Sequence, residues 1–239
     1  MAMLPSVLLV QVRDHAGAER HELECVAERL ARPVDSIETW SVVKRPALRP
    51  EDVRPYDVVI LGGAGAHSAT ANDPFVEPLI EVVRSVVDDG KPFFGSCYGH
   101  QLLGRALGGR VVIDPERGEV GTFDVTLTDA GVSDPLFAGV PRTFAAQLGH
   151  HDRVDVVPPG CTVLATSERC SVQVLRVDGL PVYGTQFHGE MDEHAMRQRV
   201  SVYGDAYLDS EEERRRFVES LRPGPHVEGL MRRFVELYA

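Results

Sequence analysis

Cysteine is scarce in this chain and poorly spaced for metal. Cys25, Cys97, Cys161 and Cys170 are the four in 239 residues, and no two form a C-x-x-C pair. That spacing argues against a zinc knuckle, and four cysteines in a chain of this length are no disulfide framework. Positive charge is also short: 25 Lys and Arg stand against 36 Asp and Glu, for a net charge of −11. Neutralising phosphates requires a basic stripe, so neither a nucleic-acid surface nor an anionic-membrane surface is expected. The longest basic run, Arg214–Arg216, directly follows Glu211–Glu213 and reads as a solvated helix face. Long apolar runs are missing: Val7–Val10 is too short for a signal or a membrane span, and Met1–Ser6 carries no basic segment. No Gly-Lys-Ser/Thr follows a glycine loop, which excludes a P-loop. Together these absences point to a reduced, cytoplasmic compartment.

What is present suits a globular α/β protein. Hydrophobic residues make up 43% and charged residues 26%, enough for a sizeable core without staples. Val7–Val12 and Tyr56–Leu61 read as buried strands, and residues 18–31 carry Leu23, Val26, Ala27 and Leu30 at helical spacing. Asp73-Pro74 is expected to open a helix with Phe75, Leu79, Val82, Val83 and Val86 on its apolar face, stopped by Gly90. A short strand at 92–94 and a helix to Leu107 follow. Strands alternating with helices in this way predict a mostly parallel central sheet with helices on both faces. After Gly108 the pattern changes to short β segments at 110–113, 122–127, 143–148, 162–167, 172–177 and 181–187. Asp178-Gly179 is a hairpin signal between the last two. The expectation is a flavodoxin-like α/β sandwich with a smaller antiparallel β region and a helical, charged C-terminal extension from about 192 to 239. No linker, repeat or composition break divides it, so residues 1–239 read as one domain.

The chemistry concentrates at Gly95-Ser96-Cys97-Tyr98-Gly99. An apolar strand ends there and a helical pattern begins, which places Cys97 on a tight strand-to-helix turn. Such a turn strains its central residue, and only small neighbours leave room for it. It lifts the side chain clear of the sheet, as in the nucleophile elbow. The following helix N-terminus favours a thiolate. Taken alone, the cysteine is equally compatible with an inert buried thiol. A second element is Val182–Phe187 running into His188-Gly189-Glu190. A histidine at a strand end, with an acid two residues on, can form a base and its orienting carboxylate; read alone, both could also be surface loop residues. A third is Gly62-Gly63-Ala64-Gly65, after a buried strand. Its backbone N–H groups, with that of Tyr98, could hold an oxyanion, or the loop could be a plain turn. No helix follows at the distance a dinucleotide fingerprint requires.

In this order, Gly62-Gly63-x-Gly65, Gly95-Ser-Cys97-Tyr-Gly99-His-Gln101 and Gly184-Thr-Gln-Phe-His188-Gly-Glu190 resemble the class I, triad-type glutamine amidotransferases. The resemblance runs from the first strand to about residue 190. The long tail looks like that of free-standing members, related to the guanylate synthetase glutaminase domain. The resemblance implies that Cys97 attacks the γ-carboxamide of glutamine to form a γ-glutamyl thioester. His188 would protonate the departing ammonia and then activate water, and Glu190 would orient His188. The N–H groups of Gly63 and Tyr98 would form the oxyanion hole. Gln101 matches a residue that helps hold the substrate. His150-His151-Asp152 stands where the family often has a Ser-His segment in the glutamine pocket, contributing mainly through backbone; either histidine could equally be a partner in a packed loop. No cofactor and no metal are implied. The family usually has proline where this chain has Gly189, which relaxes the backbone between the His and the Glu.

Three functions stay open at this stage. One is a glutaminase supplying ammonia to a separate synthetase subunit, since no synthetase segment is recognised. Another is a γ-glutamyl peptidase or hydrolase acting on a larger amide. The last is a silent regulatory module. Cys25, Cys161 and Cys170 are expected to pack, not react, and His67, His194 and His226 to lie on the surface. Ile37–Val43, around Trp40, reads as a strand.

Overall fold

The computed structural model describes residues 4–208 and 210–239; Met1–Met3, where the stretch read as lacking basic residues begins, and Asp209 in the tail lie outside the described residues. In chain order the elements are β1 (Val7–Val12), α1 (Ala16–Arg29), β2 (Ile37–Ser41), α2 (Pro50–Val53), β3 (Val58–Ala64), α3 (Val76–Asp88), β4 (Phe93–Ser96) and α4 (Tyr98–Ala106). They continue with β5 (Arg110–Ile113), β6 (Glu119–Leu127), α5 (Asp129–Val132), β7 (Thr143–His150), β8 (Asp152–Val156), β9 (Cys161–Thr166), β10 (Val174–Val177) and β11 (Val182–Thr185). Helices α6 (Glu193–Tyr207), α7 (Glu211–Ser220) and α8 (Leu230–Tyr238) close the chain.

Nine strands form one sheet in the order β2-β1-β3-β4-β11-β10-β9-β6-β7. The strands from β2 to β11 pair in parallel. Those from β11 outward pair antiparallel. The antiparallel strands therefore extend the central sheet, and the separate small sheet contains only β5 and β8. Pairing order across a sheet depends on contacts far apart in sequence, which local patterning does not encode.

The continuous apolar runs of the parallel strands are explained by burial on both faces. In β1, Leu8, Val10 and Val12 join a core built with Leu79 and Val83 of α3 and Leu102 of α4. Val7 and Leu9 point the other way, onto Val26 of α1 and Leu230 and Phe234 of α8. A third, smaller core joins Cys25 of α1 to Met196 and Val200 of α6 and Phe217 of α7. The tail thus caps the first crossover helix and does not trail free.

Helix α3 begins at Val76, three residues after the predicted cap, and the Asp73 carboxylate instead meets His67 Nδ1 at 3.0 Å. Asp178-Gly179 does turn between β10 and β11, with Gly179 at φ +75°. Among the described residues, no helix is long and apolar enough to cross a membrane.

Candidate active site

Cys97 sits between β4 and α4 with φ 50° and ψ −95°. A side chain in this left-handed region costs on the order of 1–3 kcal/mol, which its surroundings must impose. Its N–H donates to Thr185 O at 2.8 Å, tying the turn to β11. Both flanking glycines are required by contact. A Cβ on Gly95 would lie 2.5 Å from the carbonyl carbon of Gly99, and one on Gly99 would overlap the Leu61 carbonyl oxygen. The thiol is buried, 3.7 Å from Gly149 O, and accepts from Gln186 Nε2 at 3.6 Å.

The register of β11 on β4 brings in the second group. Thr185 pairs with Ser96, so the chain leaving each strand emerges at the same end of the sheet, one toward Cys97 and the other toward His188. The His188 N–H is fixed by Gln147 O at 2.9 Å. Its Nδ1 meets Glu190 Oε1 at 2.6 Å, and Cys97 is close enough to bear on the charge of the ring, so the imidazole neighbours both carboxylate and thiol. The other Glu190 oxygen accepts from Ser96 Oγ at 2.9 Å. Burial opposes charge on the imidazole, but the Glu190 carboxylate, then Cys97, outweigh it and raise the His188 pKa to about 9. Burial likewise opposes charge on Glu190, yet His188 and, beyond it, the Arg199 guanidinium bring its pKa down to about 2.

Gly189 lies between them outside the left-handed region, and a Cβ there would meet only Val227 O, at 3.4 Å. The carboxylate is thus gripped through both oxygens by His188 and Ser96, whatever freedom glycine adds to the backbone.

Gly63 differs from the sequence expectation of an open donor. Its N–H donates to Glu22 Oε1 at 3.2 Å. The same oxygen accepts from Arg13 Nε at 3.0 Å and Nη2 at 2.7 Å, and Gln11 Nε2 reaches Glu22 Oε2 at 3.2 Å. Bare glycines let this buried ion pair approach the loop: a Cβ on Gly62 would lie 2.7 Å from Glu22 Oε1, and one on Gly63 2.7 Å from Arg13 Nη2. The Gly63 site also borders His188, whose Cε1 lies 3.0 Å from the same Cβ position.

Gln101 is buried and donates to Asp152 O at 2.8 Å and Gln186 Oε1 at 3.2 Å, so it braces the β7–β8 turn and the Gln186 amide. His150 has both ring nitrogens committed, Nδ1 to Asp152 O and Nε2 to Glu119 Oε2, each at 3.0 Å. His151 is half-buried on the rim. These residues, with Cys97, Tyr98 and the 64–68 loop, line a cavity of about 240 Å³, sized for a small molecule. His67 lines it too and is half-buried, not a surface residue; His194 and His226 are exposed as expected. Burial pushes the Cys25 thiol up to about 12 and those of Cys161 and Cys170 up to about 11, consistent with packing roles. Among the described residues, no group of His, Cys, Asp and Glu is arranged to hold a metal ion.

Residues 25–201 match the family model of glutamine amidotransferase class-I. The chain belongs to that family. It is 36% identical over 144 residues to a subunit of the glutamine-hydrolyzing GMP synthase of Methanopyrus kandleri, a match covering 59% of this chain and 71% of that one. It is 31% identical over 192 residues to a glutamine amidotransferase-like protein of Salmonella typhimurium, covering 74% and 78%. The crystal structure of a glutamine amidotransferase from Thermotoga maritima shares the fold, with a TM-score of 0.74, 21% identity and 99% of both chains covered. The chain spans as little as 28% of the length of the curated GMP synthases it matches.

Several residues around the site of this amidotransferase escaped the sequence reading. Gln186 was within reach, because it precedes His188 by two in the same extended segment and so shares its side. Ser96 adjoins Cys97, but nothing local marks it as the partner of Glu190. Arg13 and Glu22, nine residues apart, meet Arg199 from the distant tail and leave no motif.

Proposed function

We propose that this amidotransferase hydrolyses the side-chain amide of glutamine and passes the ammonia to a separate synthetase subunit. One observation carries the reading: Cys97 stands on the wall of a cavity of small-molecule size and is backed by His188, whose Nδ1 lies 2.6 Å from the Glu190 carboxylate. With the Cys97 thiol proton on His188 Nε2, the sulfur bonds to the amide carbon and the carbonyl oxygen takes the negative charge. The N–H of Tyr98 opens α4 and has no intrahelical acceptor, so it is the donor at hand for that oxygen. Gly63 joins it once its N–H is released from Glu22.

Collapse of the adduct breaks the carbon–nitrogen bond, and His188 Nε2 gives its proton to the departing nitrogen. Water then adds to the thioester carbon with its proton going to His188. The carbon–sulfur bond breaks, and glutamate and the free cysteine are restored. Glu190 holds the imidazole in the tautomer and orientation both steps need. Gln186 and Gln101 brace the thiol and the adjoining turn. That several relatives are named as one subunit of a GMP synthase supports a separate synthetase as the partner.

Purified protein is expected to release glutamate and ammonia from glutamine, with Cys97→Ala reducing the rate to background. Failure to act on any γ-glutamyl amide, with Cys97 intact, would overturn the reading.

A further inference from the structure

A second, narrower space adjoins the cavity holding Cys97. Ala64 and Gly149 line both, and the Gly149 carbonyl oxygen lies 3.7 Å from the thiol. The second space lies against His188 and has a volume of about 20 Å³. Roughly 10–15 Å³ of such volume holds one water, so this space fits a single molecule of that size.

Its far wall comes from the C-terminal extension: Met196, Arg199, Val200 and Tyr203 of α6, all buried. Tyr203 is held at two points. Its hydroxyl donates to Asp14 Oδ1 at 2.9 Å, and its ring lies so close to Gly65 that a Cβ there would overlap it. The Met196 methyl similarly lies 3.2 Å from the Cβ position at Gly149. The wall therefore has contacts on both sides of the space and little slack.

If His188 protonates the leaving nitrogen, that nitrogen departs on the His188 side of the attacked carbon, where the narrow space lies. We infer that helix α6 is a leaving-group gate that restricts the amide substrate to one releasing ammonia. This rests on the amidohydrolase reading above and goes further, because the same thioester chemistry would serve larger γ-glutamyl amides. As the carbon–nitrogen bond breaks and nitrogen takes the His188 proton, ammonia fits the space; an alkylamine does not. Water then occupies the same position, adds to the thioester carbon and returns a proton to His188. Charge sorts in the same direction. Arg13 and Arg199 both line the space, so an amine tail bearing an ammonium group would meet two guanidiniums.

The test compares kcat/KM for glutamine, γ-glutamyl methylamide and γ-glutamyl ethylamide in the wild type, Tyr203→Ala, Tyr203→Phe and Val200→Ala. The wild type is expected to favour glutamine over the ethylamide by roughly 100-fold, the scale of a steric pocket. Tyr203→Ala should narrow that ratio at least about tenfold, while Tyr203→Phe, which keeps the ring, should retain it. Val200→Ala opens the same wall with the Tyr203–Asp14 bond intact, so it carries the test if Tyr203→Ala fails to fold. Equal use of all three substrates by the wild type overturns the gate and leaves the amidohydrolase reading standing. Folded, active Tyr203→Ala or Val200→Ala enzyme with undiminished discrimination also overturns the gate. Wild type that is alkylated at Cys97 yet hydrolyses none of the three overturns the amidohydrolase reading itself, and the gate with it.

Discussion

Glu190→Gln removes one charge and keeps nearly the same shape, which isolates what the carboxylate does for His188. In the wild type the imidazole titrates at about 9 instead of 6.5, and the carboxylate at about 2 instead of 4.5. Each displacement corresponds to roughly 3 kcal/mol; the attraction between the two groups enters both and counts once, with Cys97 adding to the first and Arg199 to the second. With the carboxylate gone, burial still favours the neutral ring and only Cys97 opposes it, so the His188 pKa should fall well below 9.

The sign is then fixed. Wild-type His188 stays protonated up to about pH 9, so the proton we propose it gives to the leaving nitrogen is available through neutrality and is lost above that point. In the variant the same limb should move to distinctly lower pH. Stability follows the same linkage. The His188 contribution is complete below about 6.5 and is lost as pH rises through about 9; that of Glu190 is complete above about 4.5 and is lost as pH falls through about 2. Glutamine hydrolysis measured from pH 5 to 10, with thermal melts of the same samples, reads both effects. A variant whose alkaline limb stays near 9 would refute the assignment of Glu190 as the source of the raised imidazole pKa.

Gly99→Ala should destabilise the fold by upwards of about 3 kcal/mol, because the new methyl group meets the rigid Leu61 carbonyl; denaturant unfolding measures it. A melt matching wild type would refute the close packing of the elbow on β3. Gly189→Ala should instead be neutral or stabilising by up to about 1 kcal/mol, since a Cβ there reaches only Val227 O, at 3.4 Å, and its φ lies outside the left-handed region; unfolding midpoints check this.

The elbow was legible because a strained turn imposes its requirements locally. Cys97 can take a positive φ only if positions 95 and 99 lack side chains, and those glycines stand in the sequence beside it. The His188–Glu190 pair was legible for the same reason, being two residues apart on one segment. What stayed hidden depends on distance in the chain. Arg199 sits in a tail whose composition suggests a solvated helix, yet it is buried against His21 and near Glu22. The donor at Gly63 was legible as a glycine, but the Glu22 carboxylate that takes it comes from a helix 41 residues earlier. Likewise, nothing within β6 or β9 announces that they join in extending the central sheet.

The buried ion pairs near Cys97 have a consequence for charge as a whole. Arg13, Arg199 and the protonated His188 are three buried cations around the narrow space beside Cys97, and Glu22 and Glu190 are two anions buried with them. The cluster is left with an odd positive charge, inside a chain whose total is −11. The molecule is polarised from outside to inside: an anionic shell around a pocket short of one anion. A negative charge appearing there, on sulfur at the start of the reaction or on oxygen at its crest, would complete the neutrality of the interior without disturbing it.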